Sequence, residues 1–123
     1  MIGYVMVGTN DYPRAVQFYD ELLATIGATR AMEFPSSTVW ANGTNGAMFC
    51  VCRPFDGKPA SVGNGTMVAI MVDSRDKVNA LHQKAMELGS MDEGPVGVRS
   101  DNFYAGYFRD LDGNKLVFFH YKA

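Results

Sequence analysis

Two cysteines and one histidine are the side chains of this sequence best suited to hold a soft metal ion. Cys50 and Cys52 alternate within an apolar run that predicts a strand. They therefore share one face at roughly 6.6 Å along the chain, a poor geometry for a mutual disulfide. His120 ends the last predicted strand, but alternation places it on the helix-covered face with Leu116 and Phe118. Reduced, packed thiols and an ordinary hydrogen bond for His120 are favoured over a new metal site.

The other polar side chains do not form a recognisable catalytic set. A Ser-His-Asp arrangement, a phosphate-binding glycine loop or paired carboxylates cannot be defended from this sequence. His82 lies beside the apolar stripe of a predicted helix, has no partner nearby in sequence, and is interpreted as a half-buried helix side chain. Four charged residues could each orient a substrate, although a solvated surface position is the simpler interpretation: Arg30, Glu33, Arg53 and Arg99.

The elements that must position these residues come in two copies. An apolar strand followed by a capped helix begins near Ile2 and again at Thr66, with Asp11 and Ser74 as the corresponding caps. A repeat of this length predicts a pseudo-dimer of two βα-type modules, and sites in such folds usually lie between the modules. Function is therefore expected where the two first strands meet.

Alternation, helix caps and turn residues predict a βαβββ order in each copy. The first copy has predicted strands at 2–8, 29–34, 38–42 and 47–53, with a helix from Asp11 to a stop at Gly27. The second has a strand from 66, a helix from Ser74 to Gly89, a weak strand at 90–92, a flexible connection at 93–102, and strands at 103–109 and 115–121. We predict an α+β fold in one domain, residues 1–123, with module one at 2–53, a linker at 54–65 and module two at 66–121.

Composition limits the partners. The 123 residues are 47% apolar and carry a formal net charge of −2 without a basic stripe, which disfavours nucleic acid and anionic membranes as partners. The longest apolar run, residues 67–72, is far below the about 20 residues of a membrane span, and the N-terminus lacks the pattern of a signal peptide. A cytoplasmic protein is expected.

The doubled βαβββ order and the closing segment Tyr-Phe-Arg-Asp-Leu-Asp-Gly-Asn-Lys-Leu resemble the vicinal oxygen chelate superfamily. That superfamily includes glyoxalase I, bleomycin-resistance proteins, fosfomycin-resistance enzymes and extradiol dioxygenases. The most specific features are Asp11 after the opening strand, the pair Phe18-Tyr19, and Arg109 to Leu116, where Leu111 replaces the proline of the family pattern. The resemblance implies two modules that form a curved sheet around a cleft. The Asp-Gly-Asn motif is a turn between strands and says nothing about chemistry.

The resemblance also implies where a divalent metal would be held. The superfamily typically uses His or Gln on the first strand of a module and Glu on its last strand. The first-strand positions correspond to Tyr4 and to Met67, or to Thr66 in a register shifted by one, and the last-strand positions to Cys50 and Val117. None of these is His, Gln or Glu, so we predict no metal site and no cofactor.

The same alternation predicts a largely apolar surface opposite the helices. Methionine, aromatic and thiol side chains there suit a flat organic ligand, although filling a core or a dimer interface is the common role of such residues. The predicted ligand-binding residues are Tyr4, Met6, Trp40, Met48, Cys50, Met67, Met71, Tyr107, Val117 and Phe119.

The resemblance, taken with the missing metal ligands and the apolar surface, implies a metal-independent homodimer that binds a small, partly aromatic molecule between its modules, as bleomycin-resistance proteins do. Bleomycin itself is disfavoured because a polycationic ligand needs an acidic groove. One alternative is a glyoxalase-like lyase or isomerase, for which Tyr4, Cys50 and His120 are the available general bases without a metal. Another is that the aromatic surface serves assembly alone.

Overall fold

The computed structural model describes residues 1–122, which form two compact units, Met1–Val62 and the part of the chain from Gly63 onward. The boundary falls within the segment predicted to link the modules. Each unit has one helix and one four-stranded mixed sheet. The predicted α+β class with two βαβββ modules is confirmed.

The first unit contains β1 to β4 and α1. The sheet order is β1-β4-β3-β2, in which β1 and β4 are parallel and the other neighbours antiparallel. The bounds are β1 (Tyr4–Gly8), α1 (Tyr12–Ala24), β2 (Thr29–Phe34), β3 (Ser37–Ala41) and β4 (Met48–Cys52).

The predicted cap of α1 is confirmed. The Oδ1 atom of Asp11 accepts a hydrogen bond from the backbone N–H of Arg14 at 3.2 Å. Pro13 lies in the first turn, where its missing N–H removes no helical hydrogen bond. The helix ends at Ala24, three residues before the predicted stop, and Gly27 takes the positive φ of 74° that reverses the chain. The apolar side of α1 packs Tyr19 and Leu22 into the core of the unit.

The second unit contains β5 to β8 and α2. Its sheet order, β5-β8-β7-β6, has the same arrangement, with β5 and β8 parallel. Ser74 caps α2 by accepting from the backbone N–H of Lys77 at 3.2 Å, as predicted. The bounds are β5 (Val68–Met71), α2 (Arg75–Glu87), β6 (Met91–Ser100), β7 (Phe103–Arg109) and β8 (Lys115–Tyr121).

The predicted flexible connection at 93–102 is wrong. Residues Met91–Ser100 form β6, a ten-residue strand paired with β7. Its register shifts between Asp92 and Gly94, between Gly94 and Gly97, and before Ser100. As the outer strand of the sheet, β6 tolerates glycine and proline because bulges absorb the extra residues and one edge needs no ladder partner.

The chain has no helix in its described part that is long and apolar enough to cross a bilayer.

Candidate functional site

One face of the first sheet is free of helix. In the parallel pair of β1 and β4, Tyr4 lies beside Met48 and Met6 beside Cys50, so these four side chains share a face. The opposite face carries Phe49, which packs against Tyr19 of α1 with ring centroids 4.6 Å apart. We call the helix-free side the first open face, and its apolar members are Tyr4, Met6, Met32, Phe34, Val39, Met48, Cys50 and Cys52.

The second sheet has the same two faces. Met71 pairs with Phe119, Tyr107 with Val117, and Ala105 with Phe119, so these side chains share a face. The opposite face packs Phe108 and Phe118 beneath α2. The helix-free side is the second open face, and its apolar members are Ala69, Met71, Phe103, Ala105, Tyr107, Val117, Phe119 and Tyr121.

Exposure differs between the edges and the centres of the open faces. Tyr4, Met6 and Met71 are 58%, 50% and 67% exposed, whereas Cys50 and Val117 are each 1% exposed. Met67 precedes β5 and is 42% exposed. Each open face thus combines a buried floor with large apolar side chains that face solvent.

Trp40 does not belong to this surface. It pairs with Phe49 across β3 and β4, which places it on the helix-covered face. It is 1% exposed, and its Nε1–H donates to Oδ1 of Asp20 on α1 at 2.9 Å. The sequence prediction that Trp40 lines the ligand surface is therefore corrected: the indole anchors α1 to the sheet.

The Asp20 carboxylate joins Trp40 to Arg30. Arg30 donates from Nε and Nη2 to the two carboxylate oxygens at 3.0 and 2.6 Å. The pKa of Asp20 is lowered from its ordinary 3.8, mainly by the hydrogen bonds from Arg30 and further by the one from Trp40, against a partial loss of solvation. The carboxylate is therefore charged at neutral pH and ties β2 and β3 to the helix.

We expect Asp20→Asn to destabilise the protein by about 1 kcal/mol at neutral pH, a value reduced for the partial exposure of the pair. Because the folded pKa lies below 3.8, the stabilisation is present above that pH and is lost as pH falls through the folded pKa. The difference between variant and wild type should therefore shrink below about pH 4. Urea unfolding at several pH values measures it, and Glu21→Gln, on the exposed side of α1, is the control. A difference that persists unchanged in acid would contradict the role of charge.

The thiols of the first open face are protonated, weak ligands. Burial raises the pKa of Cys50, with a smaller contribution from the neighbouring charge of Cys52, and burial also raises the pKa of Cys52. The Cys50 thiol donates to the carbonyl oxygen of Val51 at 3.7 Å. Both cysteines are free, as expected from their spacing.

The superfamily metal does not fit these residues. Of the four positions that the resemblance assigns, Met67 and Val117 carry no oxygen or nitrogen donor in the side chain, and Cys50 is a buried thiol. Among residues 1–122, no three His, Cys, Asp or Glu side chains are grouped so that they could hold a metal ion.

The two histidines lie on the helix-covered side of the second sheet. The Nδ1 atom of His120 lies 3.0 Å from the carbonyl oxygen of Val72, and the residue pairs with Tyr104, whose hydroxyl donates to Asn79 of α2. His82 is 8% exposed, and its Nε2 lies 3.2 Å from the carbonyl oxygen of Tyr107 and 3.3 Å from Oδ1 of Asp92. Asp92 is a partner that the sequence reasoning missed, because it lies on the strand that was not predicted in full.

The second open face also contains two residues outside the predicted ligand-binding set, Phe103 and Lys115. Phe103 stacks on Phe119 with ring centroids 5.0 Å apart and an interplanar angle of 14°. Lys115 lies two residues before Val117 in β8, and its ammonium is 5.6 Å from the centroid of the Tyr107 ring. The alternation that placed Val117 and Phe119 on one face also places Lys115 there, so the signal was present in the sequence.

Known proteins share this architecture. A family model described as the Glyoxalase/Bleomycin resistance protein/Dioxygenase superfamily matches residues 1–118. The crystal structure of a glyoxalase/bleomycin resistance protein from Albidiferax ferrireducens T118 is 33% identical, covers 99% of both chains and superposes with a TM-score of 0.91. None of the curated proteins matches the chain.

More distant structures share the fold alone. A glyoxalase/bleomycin resistance protein/dioxygenase family enzyme from Burkholderia phytofirmans PsJN is 14% identical over 98% of both chains, with a TM-score of 0.76. A lactoylglutathione lyase from Agrobacterium tumefaciens is 18% identical over 98% of this chain and 92% of its own, with a TM-score of 0.72.

Proposed function

Because this chain belongs to the glyoxalase/bleomycin resistance protein/dioxygenase superfamily, we propose that it binds a small, partly aromatic molecule on its open sheet faces without a metal ion. The family predicted from the sequence is confirmed. The observation that carries the proposal is the gathering of exposed methionine and aromatic side chains on the helix-free side of each sheet.

Such a surface is costly unless something covers it. Met6, Met71 and Tyr4 are each at least half exposed, and burying apolar area of this kind is worth about 25 cal/mol per Å². Methionine adapts to ligands of irregular shape, and aromatic rings stack on flat ones. The open faces therefore favour a flat, mainly apolar molecule over a sugar or a nucleic acid.

The donor set supports binding that needs no metal. Two of the four inherited ligand positions are methionine and valine, and the buried Cys50 thiol resists ionisation. A borderline or hard divalent cation requires nitrogen and oxygen donors that these positions do not offer.

A native mass spectrum of untagged protein, purified without chelator, tests the metal and assembly parts of the proposal. We expect a metal-free homodimer of twice the 13.5 kDa chain mass. A single tightly held divalent metal per chain would contradict the proposal and restore a glyoxalase-like lyase or isomerase. A monomer would contradict the dimer.

Binding itself is tested with N-phenyl-1-naphthylamine, a neutral aromatic probe that fluoresces in apolar surroundings. We expect Met71→Lys, on the second open face, to weaken binding about tenfold because the ammonium must lose solvation beside the probe. Phe55→Lys is the matched control, since Phe55 is exposed in the loop after β4 and lies on neither open face. Equal binding by wild type and both variants, or no binding by wild type, would contradict the proposal.

A further inference from the structure

We propose that the second open face selects an anionic ligand, a carboxylate attached to a flat aromatic ring, through the positive charge of Arg99 and Lys115, whose cationic groups both lie against Tyr107. This inference rests on the proposed function, because it specifies the charge and orientation of the molecule bound there. It assigns a ligand-binding role to three residues of the second unit, of which only Tyr107 was expected from the sequence.

The two cations converge on one ring. The guanidinium carbon of Arg99 lies 5.4 Å from the centroid of Tyr107, and the ammonium of Lys115 lies 5.6 Å from it. Both distances are within the range of cation–π attraction, which positions a cation without neutralising it. Arg99 also donates from Nη2 to the carbonyl oxygen of Pro95. Most of its five N–H donors therefore remain available.

The cluster has an excess of positive charge. In the described part of the chain, neither Arg99 nor Lys115 forms an ion pair. The nearby carboxylate of Glu93 is already used, because it accepts from Nε of Arg109 at 2.7 Å. The pKa of Glu93 is lowered chiefly by that hydrogen bond and less by the charge of Lys115. Glu93 thus pairs with Arg109, while Arg99 and Lys115 have no ion-pair partner in the described part of the chain.

The carboxylate of Asp92 does not neutralise the cluster. Asp92, which raises the pKa of Glu93 through its charge, pairs with Phe108 and so lies on the helix-covered side. There its Oδ1 is 3.3 Å from Nε2 of His82 and accepts from the backbone N–H of Gly94 at 2.9 Å. An external carboxylate would therefore supply negative charge that Glu93 and Asp92 do not.

Two glycines make room for the guanidinium. A Cβ atom on Gly94 would lie 3.2 Å from Cδ1 of Tyr107 and 3.4 Å from Nη2 of Arg99. One on Gly97 would lie 3.3 Å from Nη1 of Arg99. These contacts are tighter than ordinary packing, so glycine at both positions allows the side chain of Arg99 to lie along β6 beside Tyr107. The orientation of this arginine is thus set by the strand beneath it.

Apolar side chains of the second open face extend from Tyr107 along β8. Tyr107 pairs with Val117, and Phe119, two residues further along β8, stacks on Phe103. Met71 borders Phe119 on the other side and is 67% exposed. A ligand with its carboxylate at Arg99 or Lys115 can therefore lay an aromatic ring along this floor, where charge-assisted hydrogen bonds and apolar contact act on opposite ends of one molecule.

The test compares 2-naphthoate with 2-naphthamide, which has nearly the same shape but is neutral. Isothermal titration calorimetry at low salt and neutral pH gives both dissociation constants. We expect wild type to bind the naphthoate about tenfold more tightly than the amide, and Arg99→Gln and Lys115→Gln to abolish most of that preference. Arg99→Lys, which keeps the charge, should retain part of it.

Arg75→Gln is the matched control. The Arg75 guanidinium also lies over a tyrosine, 5.0 Å from the centroid of Tyr104, but on the helix-covered side. We expect its preference for naphthoate to equal that of wild type. Far-UV circular dichroism and thermal melting confirm that each variant is folded.

The outcomes separate this inference from the proposed function. Equal affinity of wild type for the two ligands, or a preference that survives Arg99→Gln and Lys115→Gln, would overturn the anion site and leave the apolar binding surface standing. Failure of wild type to bind the naphthoate, the amide or the neutral fluorescent probe would overturn both.

Discussion

Replacing Phe108 by alanine is expected to lower the free energy of unfolding by about 3–5 kcal/mol. Phe108 is fully buried on the helix-covered side of β7 and stacks on Phe118 of β8 with ring centroids 4.9 Å apart. Removing the ring loses its apolar burial and leaves a cavity, which costs more free energy where neighbours cannot collapse into it. The fully buried Leu81 and Leu116 belong to the same core, and the strand hydrogen bonds limit how far it can contract.

That loss is a large share of the about 5–15 kcal/mol that stabilises a typical domain. Urea unfolding monitored by far-UV circular dichroism measures it, provided that wild type and variant unfold with similar slopes. Phe55→Ala is the matched control, because Phe55 is fully exposed and its truncation should change stability by no more than about 0.5 kcal/mol. Similar losses in the two variants would contradict the placement of Phe108 in the core of its unit.

Most of the fold follows from short-range signals. Asp11 and Ser74 were predicted as helix caps, and both accept hydrogen bonds from the backbone N–H three residues later. The strands Thr29–Phe34, Phe103–Arg109 and Lys115–Tyr121 begin and end where turn residues and alternation placed them. These features are predictable because caps, turns and face alternation depend on neighbours within a few residues.

The error at β6 shows the limit of such signals. Gly94, Pro95 and Gly97 are residues that local rules assign to a loop. The strand nevertheless forms because β7 provides one complete edge for pairing and the irregular residues are absorbed by register shifts. Strand formation here depends on the register with β7, in which Gly94 pairs with Tyr107 and Gly97 with Ala105, and a local pattern does not contain that register.

The open faces were predictable wherever a register could be anchored. Alternation from Tyr4 and Met6 correctly grouped them with Met48 and Cys50, because the two strands pair in parallel without a shift. The predicted face of Trp40 was wrong because alternation is not visible in its strand. The short run from Ser37 to Ala41 has an apolar or neutral residue at most positions, so the sequence does not show which of them face the helix. A buried indole needs an acceptor for its N–H, and Asp20 of α1 supplies it.

The positions of Arg99 and Lys115 beside Tyr107 could be found only from the three-dimensional structure. In the sequence alone, Arg99 is one of four charged residues that could orient a substrate, and nothing distinguishes it from the other three. Its position over Tyr107 depends on the bulged course of β6 and on the absent side chains of Gly94 and Gly97. Neither feature can be derived from a strand that local rules do not predict.

Asp110→Ala is expected to cost about 3 kcal/mol of stability, the second large effect. Asp110 begins the turn of the closing motif and is 6% exposed. Its Oδ1 accepts from the backbone N–H groups of Asp112 and Asn114, both at 2.9 Å, and its Oδ2 accepts from the side-chain amide of Asn114 at 3.0 Å. Alanine would leave three donors without this acceptor, and hydrogen bonds to a charged oxygen are among the stronger ones.

Asp110→Asn separates the geometry of the turn from its charge. Asparagine keeps one oxygen that can accept from the two backbone N–H groups, but its amide nitrogen opposes the amide of Asn114, so we expect about half of the alanine loss. Asp101→Ala, in the exposed turn between β6 and β7, controls for removing an aspartate from a hairpin and should change stability by no more than about 0.5 kcal/mol. Thermal and urea unfolding measure the stability of all three variants.

If Asp110→Ala were no more destabilising than Asp101→Ala, the turn motif within Arg109 to Leu116 would not stabilise the β7–β8 hairpin. The sequence of that motif would then need a different explanation. The expected order of stability is Asp110→Ala below Asp110→Asn below wild type. That order would show that the motif acts by accepting hydrogen bonds from the backbone N–H groups of one turn.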